Sequence, residues 1–161
     1  MRILIDGCDG TGKTSVCEKL ANKLGCNIVR LTHDGDRNFR AYSEAIIPDN
    51  MVHDRTFMSE IIYPKYFGRG SRLMSSGVPA LYGLIDQYHA RVFILTADND
   101  EIKRRLNLRG DEFLDDFEKI KGINYDYIET ALAHDYIIID TTNKTIDEVV
   151  EEIRRYLDGC R

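Results

Sequence analysis

The chain has 161 residues, of which 43% are apolar and 30% charged. This length and composition predict one folded domain with a sizeable core and argue against a disordered protein. The formal net charge of −5 argues against a protein that coats nucleic acid, because phosphate backbones attract positive surfaces. No apolar run approaches the roughly 20 residues of a membrane span and no leader peptide opens the chain, so no membrane partner is expected. With four scattered cysteines, the composition favours the reducing cytoplasm.

In the first half of the chain, three short apolar runs alternate with helical patterns. The runs predict strands at Arg2–Asp6, Asn27–Leu31 and Met51–Asp54. Between the first two strands, the apolar period of Lys13–Leu24 predicts a helix that ends before a glycine. After the third strand, Phe57–Tyr88 is predicted to be helical, with breaks at residues 67–71 and near the third proline.

The second half of the chain repeats this alternation. Val92–Thr96 and Tyr136–Asp140 are predicted strands, and the continuous apolar character of the first is typical of a parallel sheet covered on both faces. Two capping boxes are predicted to begin helices, Asp98 with Glu101 and Thr145 with Glu148. The whole pattern predicts an α/β domain in three layers, built on a five-stranded parallel sheet.

Residues 7–14 (GCDGTGKT) form a complete phosphate-binding loop, G-x-x-x-x-G-K-[ST], between a predicted strand and a predicted helix. Lys13 is expected to reach the β- and γ-phosphates of a nucleotide, and the Thr14 hydroxyl to bind Mg²⁺. The fold is therefore predicted to be that of a P-loop NTPase, as a single domain over residues 1–161. No guanine-binding sequence of GTPases occurs at the required spacing. The predicted ATP-binding residues of the loop are Gly7, Asp9, Gly10, Thr11, Gly12, Lys13, Thr14 and Ser15.

Four segments resemble the superfamily of thymidylate kinases and deoxynucleoside kinases, and most of all its small phage-type members. They are the phosphate-binding loop with an acid at its third position (Asp9), the pair Asp54-Arg55, the group Ser59, Tyr63 and Gly68-Arg69-Gly70, and the arginine-rich segment 102–111 (IKRRLNLRGD). The last segment resembles the lid of that superfamily. The resemblance implies a nucleotide kinase that uses ATP and Mg²⁺.

The arginine-rich segment concentrates four positive charges within seven residues: Lys103, Arg104, Arg105 and Arg109. Arg105 and Arg109, four residues apart, share one face of a helix. Closure of a lid around residues 102–116 would bring guanidinium groups to the charge that develops during phosphoryl transfer. The alternative is a solvated basic helix face that pairs with the acids after it. By the resemblance, Arg105 and Arg109 are catalytic and Arg104 binds ATP.

The resemblance also assigns roles on the acceptor side. Asp54 ends a strand where a carboxylate can hold Mg²⁺ together with Thr14, and Arg55 binds the phosphate of the acceptor. Asp9 holds the 3′-hydroxyl of the acceptor sugar, and Tyr63 disfavours a 2′-hydroxyl. The implied catalytic residues are Lys13, Asp54, Arg55, Arg105 and Arg109. The implied acceptor-binding residues are Asp9, Asp34, Arg55, Ser59, Tyr63 and Arg69.

Residues 32–50 are shorter than the insertion by which thymidylate kinases recognise the base, so the sequence does not set the base of the acceptor. Asp34 lies in this segment and could act as a general base toward a hydroxyl acceptor. A monophosphate acceptor is already ionised and needs no such base.

Three functions are predicted, in order of preference. The first is transfer of the γ-phosphoryl group of MgATP to a deoxynucleoside monophosphate, with a dTMP-like acceptor. The second is phosphorylation of a hydroxyl on a deoxynucleoside, a polynucleotide end or a modified base in DNA, although the negative charge argues against DNA. The third is a nucleotide-binding sensor without catalysis, against which the intact Lys13, Thr14 and Asp54 argue. Small nucleotides are the expected partners, and a homodimer stays open.

Overall fold

The computed structural model of the chain describes residues 1–31, 38–110 and 116–159, and these form a five-stranded parallel sheet with helices on both faces. The strands are β1 (Arg2–Gly7), β2 (Asn27–Arg30), β3 (Met51–Asp54), β4 (Arg91–Thr96) and β5 (Ile137–Asp140). The strand order is β2-β3-β1-β4-β5. Because β1 lies between β3 and β4, the carboxyl ends of these three strands meet at one edge of the sheet. Ligands of such sheets bind at this edge.

Helices cover the two faces of the sheet. They are α1 (Lys13–Leu24), α2 (Phe39–Ile46), α3 (Met58–Phe67), α4 (Val78–Gln87), α5 (Asn99–Arg109), α6 (Phe117–Ala133) and α7 (Ile146–Leu157); a 3₁₀ turn at Ser75–Gly77 precedes α4. The side chains of β1 alternate between two cores: Ile3 and Ile5 pack with α1 and α7, whereas Leu4 packs with the helices of the other face. The predicted three-layer architecture is confirmed. Of the helices described, none is long and apolar enough to span a membrane.

The two predicted capping boxes have different outcomes. Thr145 and Glu148 form one at the start of α7, with bonds in both directions. The prediction for Asp98 and Glu101 is wrong, although α5 does begin after Asp98. The Asp98 N–H donates to the Thr142 hydroxyl at 2.8 Å, so it is not available to Glu101. The Glu101 carboxylate instead binds two arginines of its own helix.

The structure also differs from the predicted helix boundaries. The segment 57–88 is interrupted at residues 68–74, which lie between α3 and the 3₁₀ turn. Pro79 does not interrupt a helix, because it falls in the first turn of α4, where a missing N–H group costs no hydrogen bond. The sequence did not predict α2 and α6. The N-cap of α2 is Asn38, whose side chain accepts from the N–H of Ala41 at 3.0 Å.

Candidate active site

The phosphate-binding loop joins the end of β1 to the start of α1, as predicted. Gly10 and Gly12 have φ angles of 86° and 87°, a left-handed conformation that glycine adopts without strain. Gly12 caps α1, so the loop opens onto the positive end of that helix dipole. The Cys8 carbonyl accepts from Lys13 Nζ at 2.5 Å and from the Thr11 hydroxyl at 2.9 Å. These bonds hold the loop in a closed turn.

A cavity of about 70 Å³ lies beside this loop. Three cationic side chains from distant parts of the chain, Lys13, Arg55 and Arg109, line it together with one carboxylate, Asp9. The rest of the lining is Gly10, Gly12, Thr14 and Ser15. A cavity needs about 10–15 Å³ of such space to hold one water molecule, so this one can admit a phosphoryl group but not a whole nucleotide. The structure therefore brings the loop together with Arg55 and Arg109.

Asp9 is fixed by two residues that the sequence assigns to the acceptor. The Arg55 guanidinium donates to one of its oxygens in an ion pair, and the Tyr63 hydroxyl donates to the other at 2.8 Å. The guanidinium carbon of Arg55 also lies 5.2 Å from the centre of the Tyr63 ring. Burial alone would raise the pKa of Asp9, but the Arg55 and Lys13 cations and the Tyr63 hydrogen bond hold it below its usual 3.8. Asp9 is therefore ionised at neutral pH.

The cations Lys13 and Arg55 lie close enough to affect each other. Burial lowers the pKa of Lys13, and the charge of Arg55 lowers it further. A phosphate oxygen between the two groups would relieve this repulsion. The electrostatics of the cavity thus suit an anion.

Asp6, which the sequence analysis did not select, is a fully buried carboxylate next to the loop. Its Oδ2 accepts from the backbone N–H and the hydroxyl of Thr56, at 2.9 and 2.6 Å. Its Oδ1 accepts from the N–H of Gly7 at 2.9 Å and from the Tyr127 hydroxyl at 2.8 Å. We call these residues, with Ser59, the Asp6 cluster. An acid within the apolar strand RILID was the signal in the sequence, since buried charges in proteins are bonded or paired.

Asp54 and Thr14 supply the oxygen ligands that Mg²⁺ prefers. Thr14 lines the cavity. Asp54 ends β3 with its side chain only 7% exposed, and Arg30 of the neighbouring strand places its Nε 3.4 Å from Asp54 Oδ2. The donor chemistry of these two residues fits Mg²⁺, although only Thr14 of the two lines the phosphate cavity.

The arginines of α5 have three different environments. Arg109, in the last turn, lines the cavity. Arg105 donates to the carbonyl of Gly10 at 3.2 Å and to the carbonyl of Thr141 at 2.7 Å, so it connects the loop to the segment after β5. Arg104 pairs with Glu101 on the surface. Of the three, only Arg109 is among the described residues that line the cavity; Arg105, predicted to be catalytic, and Arg104, predicted to bind ATP, lie outside that lining.

Two predicted acceptor-binding residues are held by buried acids. Ser59 is 4% exposed and its hydroxyl lies 3.1 Å from Asp6 Oδ1, so it belongs to the Asp6 cluster rather than to the cavity lining. Arg69 forms a fork on the fully buried Glu60, with contacts of 2.8 and 3.4 Å, and keeps 29% of its side chain exposed. The predicted acceptor residue Asp34 lies outside the described residues, as do residues 111–115 of the predicted lid.

Known proteins resemble the chain along nearly its whole length, although no model of a protein family matches it. A shikimate kinase from Geobacter metallireducens is 31% identical over 169 residues, which cover 98% of this chain and 92% of that protein. The chain belongs to the P-loop kinases. A probable thymidylate kinase from Methanocaldococcus jannaschii is 27% identical to this kinase over 192 residues, covering 98% of this chain and 95% of that protein.

A prophage protein is similar to this kinase in both sequence and structure. YorR, an uncharacterized SPbeta prophage-derived protein of Bacillus subtilis, is 29% identical to this kinase over 159 residues, or 94% of this chain and 95% of YorR. The crystal structure of YorR in complex with phosphorylated GDP matches with a TM-score of 0.82 at 25% identity, covering 98% and 96% of the two chains. A deoxyadenosine kinase from M. mycoides, at 19% identity, matches with a TM-score of 0.69 over 100% of both chains. These matches confirm the P-loop kinase fold and the resemblance to small phage-type members.

Proposed function

We propose that this kinase transfers the γ-phosphoryl group of MgATP to the phosphate of a deoxynucleoside monophosphate. The observation that supports this function is the convergence of Lys13, Arg55 and Arg109 on one cavity of about 70 Å³. Two phosphate groups that approach each other repel, and cations placed between them stabilise the transition state. Each of the three cations comes from a different segment, so each can contact a different part of the donor and acceptor.

On the donor side, the N–H groups of the loop and Lys13 would bind the β- and γ-phosphates. Mg²⁺, held by Thr14 and, directly or through water, by Asp54, would neutralise charge on the donor phosphates. Arg109 would contact the transferred group from the end of α5. Arg105, one helical turn before Arg109, bonds that helix to the loop through the Gly10 carbonyl.

The outer part of ATP would lie beyond the small cavity. Arg104 and Thr142 line an open groove of about 780 Å³ between α5, α6 and the segment after β5. This groove is large enough for a nucleoside, whereas the phosphate cavity is not. We therefore place the base and ribose of ATP near this groove, with Arg104 as a contact at its rim.

On the acceptor side, Arg55 uses one terminal nitrogen on Asp9, and the rest of its guanidinium can bind a phosphate. Asp9 would accept a hydrogen bond from the 3′-hydroxyl of the acceptor, and Tyr63 would exclude a 2′-hydroxyl. Glu60, one helical turn before Tyr63, pairs with Arg69. Arg69 would contact the base of the acceptor. The resemblance to thymidylate kinases makes dTMP the first acceptor to test, and the guanine nucleotide of YorR makes dGMP the second.

A hydroxyl acceptor is the second candidate, because the matches include a shikimate kinase and a deoxyadenosine kinase. Such an acceptor needs a general base whose pKa lies near the working pH. Among the described residues that line the cavity, Asp9 is the single carboxylate, and its pKa is lowered, mainly because Arg55 and Lys13 outweigh the effect of burial. The lowered pKa makes Asp9 a weaker base than an ordinary carboxylate. A hydroxyl acceptor would therefore depend on the predicted base Asp34, which lies outside the described residues, rather than on Asp9.

The test measures ATP consumption by the purified protein with deoxynucleoside monophosphates, ribonucleoside monophosphates, deoxynucleosides and oligonucleotides that carry a 5′-hydroxyl. We expect kcat/KM to be highest for a deoxynucleoside monophosphate. Lys13→Ala, purified in parallel, controls for contaminating kinases and should lose nearly all turnover. Faster phosphorylation of a deoxynucleoside or an oligonucleotide than of every monophosphate would overturn the proposal.

The variant Arg55→Ala tests the acceptor site separately. Charge-assisted hydrogen bonds contribute about 1.5–3 kcal/mol, so the KM for the monophosphate should rise by about 10- to 100-fold. The KM for ATP should change by less than about threefold, since the donor keeps Lys13 and Arg109. An equal rise of both constants would show that Arg55 does not bind the acceptor.

A further inference from the structure

The backbone of Arg55 is strained and is held on both sides by β1. Arg55 has a φ of 76°, which L residues rarely adopt and which persists only where surrounding bonds fix it. Its own N–H donates to the carbonyl of Ile5 at 3.0 Å. The N–H of the next residue, Thr56, donates to Asp6 Oδ2 at 2.9 Å. The central strand β1 therefore anchors the backbone of Arg55 itself and of the residue that follows it.

The second oxygen of Asp6 is bonded to the other half of the site. Oδ1 accepts from the N–H of Gly7, the first residue of the phosphate-binding loop, at 2.9 Å. One carboxylate thus connects the loop that would hold the donor to the turn that carries Arg55. In-line phosphoryl transfer depends on the distance and angle between donor and acceptor, and both are set by groups bonded to Asp6.

We propose that Asp6 is a positioning residue for phosphoryl transfer, which holds Arg55 at the acceptor and in register with the phosphate-binding loop. The inference rests on the proposed acceptor-binding function of Arg55. Asp6 is fully buried and does not line the cavity, so it acts through Arg55 rather than on a ligand. Tyr127 of α6 completes the bonding of the carboxylate at 2.8 Å, which ties the same point to the helix after the predicted lid.

The test is a double-mutant cycle on the full chain with Asp6→Asn and Arg55→Ala. The amide of Asn has one accepting oxygen, so at least one backbone N–H and one hydroxyl lose their acceptor whichever way the amide turns. In the protein that keeps its native Arg55, we expect Asp6→Asn to raise the KM for the monophosphate about tenfold. In the Arg55→Ala background the same change should raise it by less than about twofold, because the group that Asp6 positions is gone.

Two further variants keep the test decisive. Val150→Ala truncates a buried side chain of the core between α1 and α7, and should lower the Tm without changing the KM for the monophosphate. If Asp6→Asn does not fold, Thr56→Val takes its place in the cycle, because it removes the 2.6 Å bond to Asp6 Oδ2 and keeps the shape of the side chain. For this variant we expect a rise in KM of about threefold that again disappears with Arg55→Ala.

The outcomes separate the two proposals. If Arg55→Ala leaves the KM for the monophosphate unchanged, the acceptor site itself is wrong and the role of Asp6 fails with it. If Arg55→Ala raises that KM but Asp6→Asn has the same effect in both backgrounds, the acceptor site stands. Asp6 would then be a structural residue only, and the positioning role would be overturned.

Discussion

Gly7 is the position where the structure predicts the largest effect of adding one methyl group. Its φ of 144° lies in a region that is nearly restricted to glycine. A Cβ atom there would lie 2.2 Å from the carbonyl oxygen of Leu95, and that oxygen belongs to the strand paired with Gly7 in the sheet. The oxygen would have to move by about 1 Å to restore an ordinary contact, and the pairing of β1 with β4 opposes that movement.

The magnitude follows from two terms. The backbone conformation costs about 1–3 kcal/mol for a residue other than glycine, and overpacking a rigid neighbour costs about 1–3 kcal/mol more. We therefore expect Gly7→Ala to lower the free energy of unfolding by about 2–6 kcal/mol, against a total of about 5–15 kcal/mol for a domain of this kind. Urea unfolding followed by circular dichroism measures the difference.

Gly83→Ala is the matched control. Gly83 lies inside α4, and a Cβ there would meet no atom within 4 Å, so the change should raise the free energy of unfolding by about 0.5–1 kcal/mol. A loss of less than about 1 kcal/mol for Gly7→Ala, on the same scale, would refute the argument from the close approach of Leu95.

Two other predictions concern stability. Thr145→Ala should lower the free energy of unfolding by about 1 kcal/mol because it removes the capping box of α7, whereas Thr145→Ser should restore most of it; urea unfolding of the three proteins decides. Asp9 has a pKa below its unfolded value, so its ionised form stabilises the fold above about pH 4 and this contribution is lost as the pH falls through the folded pKa. The difference in unfolding free energy between the wild type and Asp9→Asn should therefore be constant from about pH 7 to pH 5 and shrink below about pH 4, and a constant difference down to pH 3 would contradict the Asp9–Arg55 pairing.

The sequence predicted the sheet well because buried parallel strands are short apolar runs, which stand out from the longer amphipathic patterns of the helices between them. Each of the five predicted strands agrees with the observed one to within one residue at either end. The helix α6 was missed because its buried face contains polar Asn124, which weakens the apolar period. The Asn124 side chain accepts from the Thr96 hydroxyl at 2.9 Å and donates to the Ala97 carbonyl at 3.2 Å. Thr96 and Ala97 become neighbours of Asn124 only in the folded chain.

The sequence also predicted part of the candidate site and missed another part. Lys13 follows from a local sequence pattern, and Arg55 and Arg109 from segments that resemble the superfamily, and the structure brings all three to one cavity. The bonds of the buried acids join residues far apart in sequence, as between Asp6 and Tyr127, 121 positions away. No local pattern identifies such partners. Ser59 was therefore assigned to the acceptor, whereas its hydroxyl is bound within the protein.

The ion pair between Asp9 and Arg55 gives a physical reason for selecting a phosphate acceptor. A neutral hydroxyl gains little from a guanidinium whose charge is already balanced by a carboxylate at contact distance. A phosphate dianion would bring negative charge to Lys13 and Arg55, two neighbouring cations that repel each other and share the carboxylate of Asp9. The chain as a whole is acidic, with a net charge of −5, so it offers no general attraction to polyanions. If the kinase acts on a monophosphate as proposed, selectivity for this small, doubly charged acceptor would reside in the cavity itself.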